Sequence, residues 1–330
     1  MIAVTRVNGP ETAPGLSIVL RHGDSACGQV ISIDFSSVRR LLINADDFGL
    51  TLGVNRAIAG LYDASCLLST TLMATGAAFA DAVALAKSRP KLATGCHIVL
   101  TGGVPVLPPA EIPSLLGQDS MRFRPGLGML VRDLMLGRLN EPEIEREAAA
   151  QIRRLQDAGI AVSHIDSHKH THLFPAIVRP LARAAAACGV HALRNPFEPA
   201  WSRRSGSLVR RLQLRALGRL HDPFFQQFDP DRFATTEGIL GVSATGDLNA
   251  GTLHDILDIM PEGAWELVCH PGYNDAALHG VQTRLRAERE IEFNALLTEI
   301  PAALRNYPEL QLISYRDLQP TAPAESRTAP

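Results

Sequence analysis

The chain has 330 residues, of which 46% are hydrophobic, and its formal net charge is −2 at pH 7. This length suffices for one large α/β barrel or two ordinary domains, and the near-neutral charge argues against a nucleic acid as partner. No apolar run reaches the roughly 18 residues that cross a bilayer, and the N-terminus lacks the order of a signal peptide. We therefore expect a cytoplasmic protein, with residues 1–38 as an N-terminal extension and residues 319–330 as a disordered tail.

From about residue 40, short apolar runs alternate with amphipathic stretches. Pro90 and Gly159 follow two of the amphipathic stretches, as expected for residues that end helices. In the first half of the chain the pattern predicts strands at 41–44, 68–74 and 93–100, and helices at 55–63, 81–88 and 142–158.

The second half continues the same alternation. It predicts strands at 162–166, 191–194, 239–242, 266–269 and 311–314, and helices at 177–188 and 283–297. Six or more strand–helix units predict a parallel sheet, and their number favours a closed or nearly closed barrel over two separate sheets. We therefore predict one α/β barrel domain over residues 39–318. A Pro-rich loop at 101–140 and an insertion at about 196–235 interrupt it.

Four polar clusters lie where predicted strands end. Asp46 and Asp47 follow LLINA, His97 lies within ATGCHIVL, the run DSHKHTH (166–172) follows VSHI, and His270 follows ELVC. The carboxyl ends of barrel strands meet on one face, which holds the active site. We therefore expect the four clusters to converge, although His97 must point into the barrel to join them.

The residue types in these clusters suit metal-assisted hydrolysis. One carboxylate and two neutral imidazoles bind a divalent ion and leave positions open for water and substrate. The ion polarises a carbonyl and lowers the pKa of bound water. A second carboxylate can then accept the proton of the water, and a histidine can protonate the leaving amine. Adjacent Asp46 and Asp47 fit the two carboxylate tasks, because successive side chains point in different directions.

Each cluster also has a plainer interpretation. An Asp-Asp pair after a strand often caps a helix or forms a turn, and a single histidine such as His97 is often a core residue with its hydrogen bonds satisfied. His270, before Pro-Gly, could simply cap a turn. His168, His170 and His172 alternate in the manner of a strand, so we expect them to face one side. Three imidazoles on one side favour a metal site over packing.

Four segments and a closing motif resemble the YdjC-like carbohydrate deacetylase family. They are LLINADDFGLTLGVNRAI, SCLLSTTLMATGAAFADAVALAKSRPKLATGCHIVLT, VSHIDSHKHTHLFP and ELVCHPGYND, followed by LISYRDL. The resemblance covers about residues 40–318. It implies a distorted (β/α) barrel of the glycoside hydrolase and deacetylase type, similar to a TIM barrel. It also implies a hydrolase that removes the N-acetyl group from an acetamido sugar. GVPVLPPAEIPSLL and ALRNPFEPAW are closer to the hopanoid-biosynthesis-associated branch than to the chito-oligosaccharide branch.

The resemblance also implies roles for single residues. It gives Asp47, His97 and His168 as the ligands of one divalent metal ion, Zn²⁺ or Mg²⁺. It gives Asp46 as the general base, and His270 as a candidate acid or oxyanion stabiliser.

Further residues take supporting roles by the same resemblance. Arg194 is expected to orient Asp46. Many family members read DSHHHVH where this chain reads DSHKHTH, so Lys169 replaces a histidine that is not a ligand. His170 and His172 are then expected to contact substrate or to support the ligands.

Two other functions remain open at this point. An Asp-His-His site also suits other metal enzymes, such as non-haem iron oxygenases, but these use a jelly-roll scaffold rather than alternating strands and helices. A sugar-binding pseudoenzyme on the same barrel is the second alternative. The presence of both Asp46 and Asp47 argues against it, because a binding protein needs no base.

A basic segment in the insertion is relevant to a possible membrane partner. Residues 201–221 read WSRRSGSLVRRLQLRALGRLH, with six arginines and no acidic residue. Drawn as a helix, Leu212, Leu217 and Leu220 share an apolar face with Val209 and Ala216, and Arg211, Arg215 and Arg219 run along another face. The pattern fits a solvated basic helix or a peripheral contact with the inner membrane surface. The second option would suit a lipid-linked acetamido sugar, and a homodimer is expected only by analogy with related proteins.

Overall fold

The computed structural model describes residues 16–19, 30–33, 38–203, 208–229 and 231–320. Two short antiparallel strands, β1 (Leu16–Val19) and β2 (Val30–Ile33), form a small separate sheet. The rest of the predicted extension up to residue 37, and the predicted tail from residue 321, lie outside the described residues.

A parallel sheet of seven strands forms the centre of the fold. The strand order is β6-β5-β4-β3-β8-β7, and β9 pairs with the first residues of β3. The bounds are β3 (Arg39–Phe48), β4 (Ser69–Leu72), β5 (Ala93–Ile98), β6 (Ile165–Ser167), β7 (Gly238–Leu240), β8 (Gly263–Cys269) and β9 (Leu310–Ile313).

Helices alternate with these strands, as a parallel sheet requires. They are α1 (Leu52–Asp63), α2 (Phe79–Lys87), α3 (Leu127–Met135), α4 (Glu141–Asp157), α5 (Pro175–Ala187), α6 (Leu208–Leu217), α7 (His221–Phe225), α8 (Ala250–Ile259), α9 (Ala276–His279) and α10 (Ala287–Asn306). Among the described residues, none of the helices is long and apolar enough to cross a membrane.

The two sides of β3 carry different residues. Leu41 and Ile43 belong to the main apolar core, which also contains buried residues of the helices. Asn44 and Asp46 alternate with them and take part in a buried hydrogen-bond network instead. Because successive side chains of a strand point to opposite faces, the polar residues lie inside the curled sheet and the apolar ones lie under the helices.

An irregular segment closes the ring of strands. The sequence predicted a strand at 191–194, but the structure has only isolated bridges there, which pair Leu193 with Ile165 and Ala192 with Ala234. The amide of Ile239 in β7 also donates to the carbonyl of Phe197, over 3.1 Å. Residues 192–197 therefore bridge β6 and β7, and the prolines at 196 and 199 have no amide hydrogen for a regular ladder. The predicted distorted (β/α) barrel is confirmed.

Other differences concern the two predicted interruptions. The Pro-rich stretch at 101–140 contains α3, and the insertion at 196–235 contains α6 and α7. Helix α8 was not predicted at all, and α10 begins four residues later than the predicted start at 283 and extends to Asn306. The remaining predicted elements agree with the observed ones to within a few residues.

Candidate metal centre

Two consecutive aspartates at the end of β3 face the same cavity. In a regular strand, Asp46 and Asp47 would point to opposite sides. Here the register between β3 and β4 shifts between Ala45 and Phe48, and Asp47 adopts a left-handed backbone with φ of 67°. A residue other than glycine seldom adopts this conformation. The resulting bulge brings both carboxylates to the carboxyl end of the barrel.

Three side chains from different strands converge beside this bulge. Asp47 Oδ1 lies 3.2 Å from His168 Nδ1 and 3.6 Å from His97 Nε2, and the two histidine nitrogens are 3.4 Å apart. Ligand atoms held about 2.0–2.2 Å from one ion lie roughly 3 to 3.6 Å from each other. Asp47 Oδ1 is also buried and makes no hydrogen bond. The donor set and the unsatisfied oxygen therefore fit a divalent cation.

The orientation of His97 is fixed by a buried carboxylate. His97 Nδ1 lies 2.7 Å from Asp166 Oδ1, so its Nε2 faces Asp47 and His168. Burial alone would lower the pKa of His97, but Asp166 and the Asp46 and Asp47 carboxylates outweigh it and raise the pKa to about 9. No role was predicted for Asp166, although it lies in the DSH motif. A carboxylate behind a histidine ligand is a common support for a metal site.

The sequence prediction for the three alternating histidines is wrong. Strand β6 ends at Ser167, and residues His168–Leu173 form a 3₁₀ turn instead of continuing the strand. Lys169 and His170 adopt left-handed backbone angles, with φ of 57° and 51°. The turn sends His168 towards Asp47, and the three histidines therefore do not share one side.

His170 and His172 have different surroundings as a result of this turn. His170 lines the cavity, and its Nδ1 atom is buried without a hydrogen-bond partner. His172 is fully buried behind the cavity, where its Nδ1 lies 2.6 Å from Ser167 Oγ and its ring packs edge-on against Phe224. Burial lowers the pKa of both imidazoles, to about 3 for His170. Only His170 is therefore in a position to contact a substrate directly.

Asp46 is held from inside the barrel by Arg194. The guanidinium donates two hydrogen bonds, NH2 to Oδ1 over 2.7 Å and NH1 to Oδ2 over 2.9 Å. Asn44 Nδ2 adds a bond of 3.0 Å to Oδ1. Burial would raise the pKa of Asp46, but Arg194 outweighs it and holds the pKa well below its usual range. Asp46 is therefore ionised at neutral pH.

Arg194 also contacts two other buried carboxylates. Its NH1 lies 2.5 Å from Asp166 Oδ2, and its Nε donates to Glu266 Oε1 over 2.9 Å. Tyr315 Oη donates to the second oxygen of Glu266 over 2.5 Å. Burial raises the pKa of Glu266 to about 7, although Arg194 and Tyr315 oppose the shift. Glu266, a charged residue inside the apolar run WELVC, was a sequence signal for this buried network around Arg194, and the prediction did not use it.

A second arginine, which unlike Arg194 was not predicted, holds the metal-ligand candidate Asp47. Arg289 in α10 is almost fully buried and donates from NH2 to Asp47 Oδ2 over 2.6 Å. Its NH1 donates to the carbonyl of His270 over 3.4 Å. One oxygen of Asp47 is thus paired with Arg289, and the other is free to bind a cation.

His270 lies across the cavity from the metal candidates. Its Nε2 is 4.0 Å from Asp46 Oδ2, and its backbone amide donates to Glu292 Oε2 over 2.5 Å. Burial lowers the pKa of His270 to about 4, although Asp46 and Asp47 oppose the shift. The imidazole is therefore neutral at pH 7.

Six of the eight predicted site residues line one cavity of about 530 Å³, a size typical of sites for small ligands. Arg194 and His172 lie behind its wall. The six are Asp46, Asp47, His97, His168, His170 and His270.

Comparisons with known proteins agree with this architecture. The family described as YdjC-like protein matches residues 40–305. A carbohydrate deacetylase of Brevibacillus brevis is 33% identical over 284 residues, which are 84% of this chain and 99% of the relative. A carbohydrate deacetylase of Geobacillus stearothermophilus is 30% identical over 281 residues, 84% of this chain and 98% of the relative.

A solved structure is also similar. It is a crystal structure of an Enterococcus faecalis V583 protein named for cellobiose-phosphate cleavage. The two chains are 26% identical and superpose with a TM-score of 0.66, over 84% of this chain and 98% of the other. The similarity therefore covers the whole barrel.

Proposed function

Because this chain belongs to the YdjC-like family, we propose that it is a carbohydrate deacetylase, a metal-dependent hydrolase that removes the N-acetyl group from an acetamido sugar. Two relatives with this name match 84% of the chain. The observation that carries the proposal is the convergence of Asp47, His97 and His168 within 3.6 Å of one another, with Asp46 beside them in the cavity. The parallel barrel also differs from the jelly-roll scaffold of the oxygenase alternative.

The metal would be held by Asp47 Oδ1, His97 Nε2 and His168 Nδ1. A divalent ion at this position supplies Lewis-acid polarisation of the acetamide carbonyl and a lowered pKa for a coordinated water. Asp166 keeps the Nε2 lone pair of His97 directed at the site, and Arg289 neutralises the charge on the second oxygen of Asp47.

Asp46 is the general base in this proposal. Its Oδ1 accepts hydrogen bonds from Arg194 NH2 and Asn44, whereas Oδ2 accepts one from Arg194 NH1 and faces His270 across 4.0 Å. Oδ2 is therefore the oxygen that takes a proton as a water molecule attacks the carbonyl carbon. Arg194 keeps the carboxylate ionised at neutral pH and fixes its orientation.

His270 acts as a hydrogen-bond donor to the developing oxyanion. A histidine with a pKa of about 4 carries no extra proton to give at neutral pH, but its neutral imidazole still donates one N–H. Asp46, protonated by the attacking water, then returns the proton to the sugar nitrogen as the C–N bond breaks. The products are acetate and a free amino sugar.

The test is acetate release from two acetamido substrates. Protein treated with a chelator and then reloaded with Zn²⁺ or Mg²⁺ is incubated with N-acetylglucosaminyl lipid and with di-N-acetylchitobiose. We expect acetate from at least one substrate with metal, and none from the chelator-treated protein. If neither substrate released acetate with either metal, the proposed deacetylase activity would be wrong.

The position of the basic helix supports a lipid-linked substrate. Leu214 of α6 packs against Val242 and Val268, near the carboxyl ends of β7 and β8. The helix therefore lies close to the end of the barrel that carries the metal centre. On its outer side Leu212 is 65% exposed, and Arg215 is exposed as well. An apolar side chain beside basic ones on the surface suits contact with an anionic membrane.

The apolar face drawn from the sequence is only partly correct. Leu217 and Leu220 pack against the barrel core, whereas Leu212 and Ala216 are exposed. The side chain of Arg211 lies outside the part of the chain that the structure describes. The lipid-linked acetamido sugar is the finer part of the proposal, and the vesicle experiment described below tests it.

A further inference from the structure

Inside the barrel, six buried side chains form a closed ring of contacts that includes the proposed base. In order around the ring they are Asp46, Arg194, Glu266, Tyr315, His164 and Asn44. Each of the six is at most 2% exposed. Two separate routes therefore lead from Tyr315 to Asp46, one on each side of the ring.

The first route runs through a carboxylate that Tyr315 shares with Arg194. Tyr315 Oη donates to Glu266 Oε2 over 2.5 Å, and Arg194 Nε donates to Glu266 Oε1 over 2.9 Å. The two other nitrogens of the guanidinium donate to Asp46. Glu266 therefore fixes the plane of the guanidinium, and the hydroxyl of Tyr315 holds Glu266 from the opposite side.

The second route runs through the imidazole of His164. The rings of Tyr315 and His164 stack, with centroids 3.5 Å apart and planes inclined by 12°. Asn44 Nδ2 donates to Asp46 Oδ1, so Asn44 Oδ1 is the atom that faces His164 Nε2, over 3.1 Å. His164 Nε2 therefore donates this bond, and it fixes the amide that holds Asp46.

Tyr315 lies in the segment that follows β9, and several contacts fix its position. Its backbone amide donates to Ser69 Oγ over 3.2 Å. Ser314 and Asp317 form a capping box around it. Its side chain belongs to a small apolar cluster with Leu42, Ala192, Ala234, Ala264, Ile313 and Leu318. The hydroxyl is therefore directed at Glu266 by packing as well as by its hydrogen bond.

The proposed reaction needs Asp46 to present an oxygen to the attacking water, so the orientation of this carboxylate matters for the rate. We propose that Tyr315 is a positioning residue for this base and acts through the two routes of the ring. The inference rests on the proposed deacetylase function. Tyr315 does not line the catalytic cavity, so its effect should fall on the chemical step and leave substrate binding unchanged.

Removal of one hydroxyl group tests the proposal. Tyr315→Phe deletes the bond to Glu266 and keeps the ring that stacks on His164. Tyr307→Phe is the matched control, because Tyr307 Oη also donates to a carboxylate, that of Asp258, over 3.0 Å, but at the surface. The kcat and KM for acetate release and the metal content are measured for each variant after reloading with metal.

Two further variants separate positioning from a general loss of stability. Ile152→Val removes one methyl group from the fully buried core and is expected to lower stability without changing kcat. Glu266→Gln cannot accept hydrogen bonds on both sides as the carboxylate does, so it breaks the first route at its centre.

We expect Tyr315→Phe to lower kcat by about tenfold, because a misplaced base loses part of its contribution to the rate. KM and metal content should stay within about twofold of the wild type. Glu266→Gln should lower kcat at least as much, and Tyr307→Phe and Ile152→Val should keep it within about twofold.

Hydrogen exchange at Arg194 gives a measurement that does not depend on activity. In protein labelled with ¹⁵N-arginine, the Nε–H signal of Arg194 is assigned by its loss in Arg194→Lys. We expect this hydrogen to exchange about tenfold faster in Tyr315→Phe, because Glu266 is less firmly held, and at the wild-type rate in Tyr307→Phe.

The proposal is overturned if kcat of Tyr315→Phe falls no further than that of Ile152→Val, if only KM changes, or if the exchange at Arg194 is unchanged. If Tyr315→Phe does not fold, the same three criteria apply to Glu266→Gln. Wild-type protein that releases no acetate, combined with faster exchange in Tyr315→Phe, would instead count against the deacetylase function and leave the ring as described.

Discussion

Arg194 forms two hydrogen bonds to Asp46, of 2.7 and 2.9 Å, in a part of the barrel where Arg194 is fully buried and Asp46 almost fully buried. The same guanidinium contacts Asp166, which orients His97. One cation therefore connects the proposed base to a proposed metal ligand, and it neutralises the carboxylates that burial would otherwise protonate.

Replacement of Arg194 by Met should destabilise the protein. Asp46, Asp166 and Glu266 would lose their shared counter-ion, and removal of one partner of a buried ion pair typically costs about 3–5 kcal/mol. Arg194→Lys keeps a charge but cannot form the two-pronged contact, so we expect a smaller loss of stability and a lower kcat. Urea unfolding measures the first effect and acetate release the second. A Met variant as stable as the wild type would show that the network does not act as described.

Asp46→Asn should abolish turnover and keep the metal. The amide cannot accept the proton of the attacking water, and loss of a general base typically lowers the rate by about 10²–10⁴-fold. The three proposed ligand atoms belong to other residues, so the metal content, measured by elemental analysis, should remain near that of the wild type. Retained activity would contradict the role of Asp46, and loss of metal would place Asp46 among the ligands.

The sequence predicts which residues converge at the site better than it predicts the buried residues that hold them in place. Asp46, Asp47, His97 and His270 follow or lie in strands of one parallel sheet, and the carboxyl ends of such strands necessarily share a face. The barrel itself follows from the alternation of strands and helices. These features depend on local patterns, which one sequence displays.

Local patterns in the sequence could not predict the buried residues that hold the site's side chains in place. Arg289, which was not predicted, reaches Asp47 from 242 residues away. The pairing of Arg194 with Asp46, 148 residues apart, was expected only from the family resemblance, because no local pattern encodes such pairs. The histidine turn after β6 was missed for a different reason. Lys169 and His170 adopt left-handed angles that residues other than glycine seldom take, so alternation in the sequence did not become alternation in space. The irregular closure at 192–197 likewise overlaps the ordinary strand that was predicted at 191–194.

Asp166→Asn should weaken metal binding by about 10–100-fold, as is typical when the support of a histidine ligand is lost. The amide no longer accepts a full charge-assisted bond from His97 Nδ1, so the ring is less firmly oriented. Asp255→Asn, at an exposed position of α8, removes the same charge away from the centre and is the matched control. Metal titration with a competing chelator measures both affinities. Equal metal affinities for the two variants would argue against the role of Asp166 in orienting His97.

Metal binding should strengthen as the pH rises towards 9. Asp166, Asp46 and Asp47 overcome burial and raise the pKa of His97 to about 9 in the metal-free protein, so the imidazole is protonated at neutral pH. A ligand must be neutral, and the ion therefore displaces that proton. Below the pKa, affinity should fall by up to about tenfold per pH unit, and above it this dependence should vanish.

Calorimetry in two buffers of different ionisation enthalpy measures the proton release. We expect about one proton from His97 for each ion bound at pH 7. In Asp166→Asn the pKa of His97 loses its main upward influence, so fewer protons should be released. Binding to the wild type without proton release would show that His97 is already neutral, and the proposed pH dependence would be wrong.

The basic helix should promote binding to anionic vesicles. Arg215 and Arg219 are exposed, and each basic residue near an anionic surface typically contributes about 1 kcal/mol. Arg215→Ser with Arg219→Ser should therefore weaken binding to phosphatidylserine vesicles by more than about tenfold, as measured by sedimentation.

Arg40→Ser with Arg305→Ser makes the same charge change at exposed positions elsewhere and should have little effect. Neither pair lines the catalytic cavity, so acetate release from a water-soluble sugar should be unchanged in both. If both double variants bound vesicles as the wild type does, α6 would be a solvated surface helix, and a lipid-linked substrate would lose its structural support.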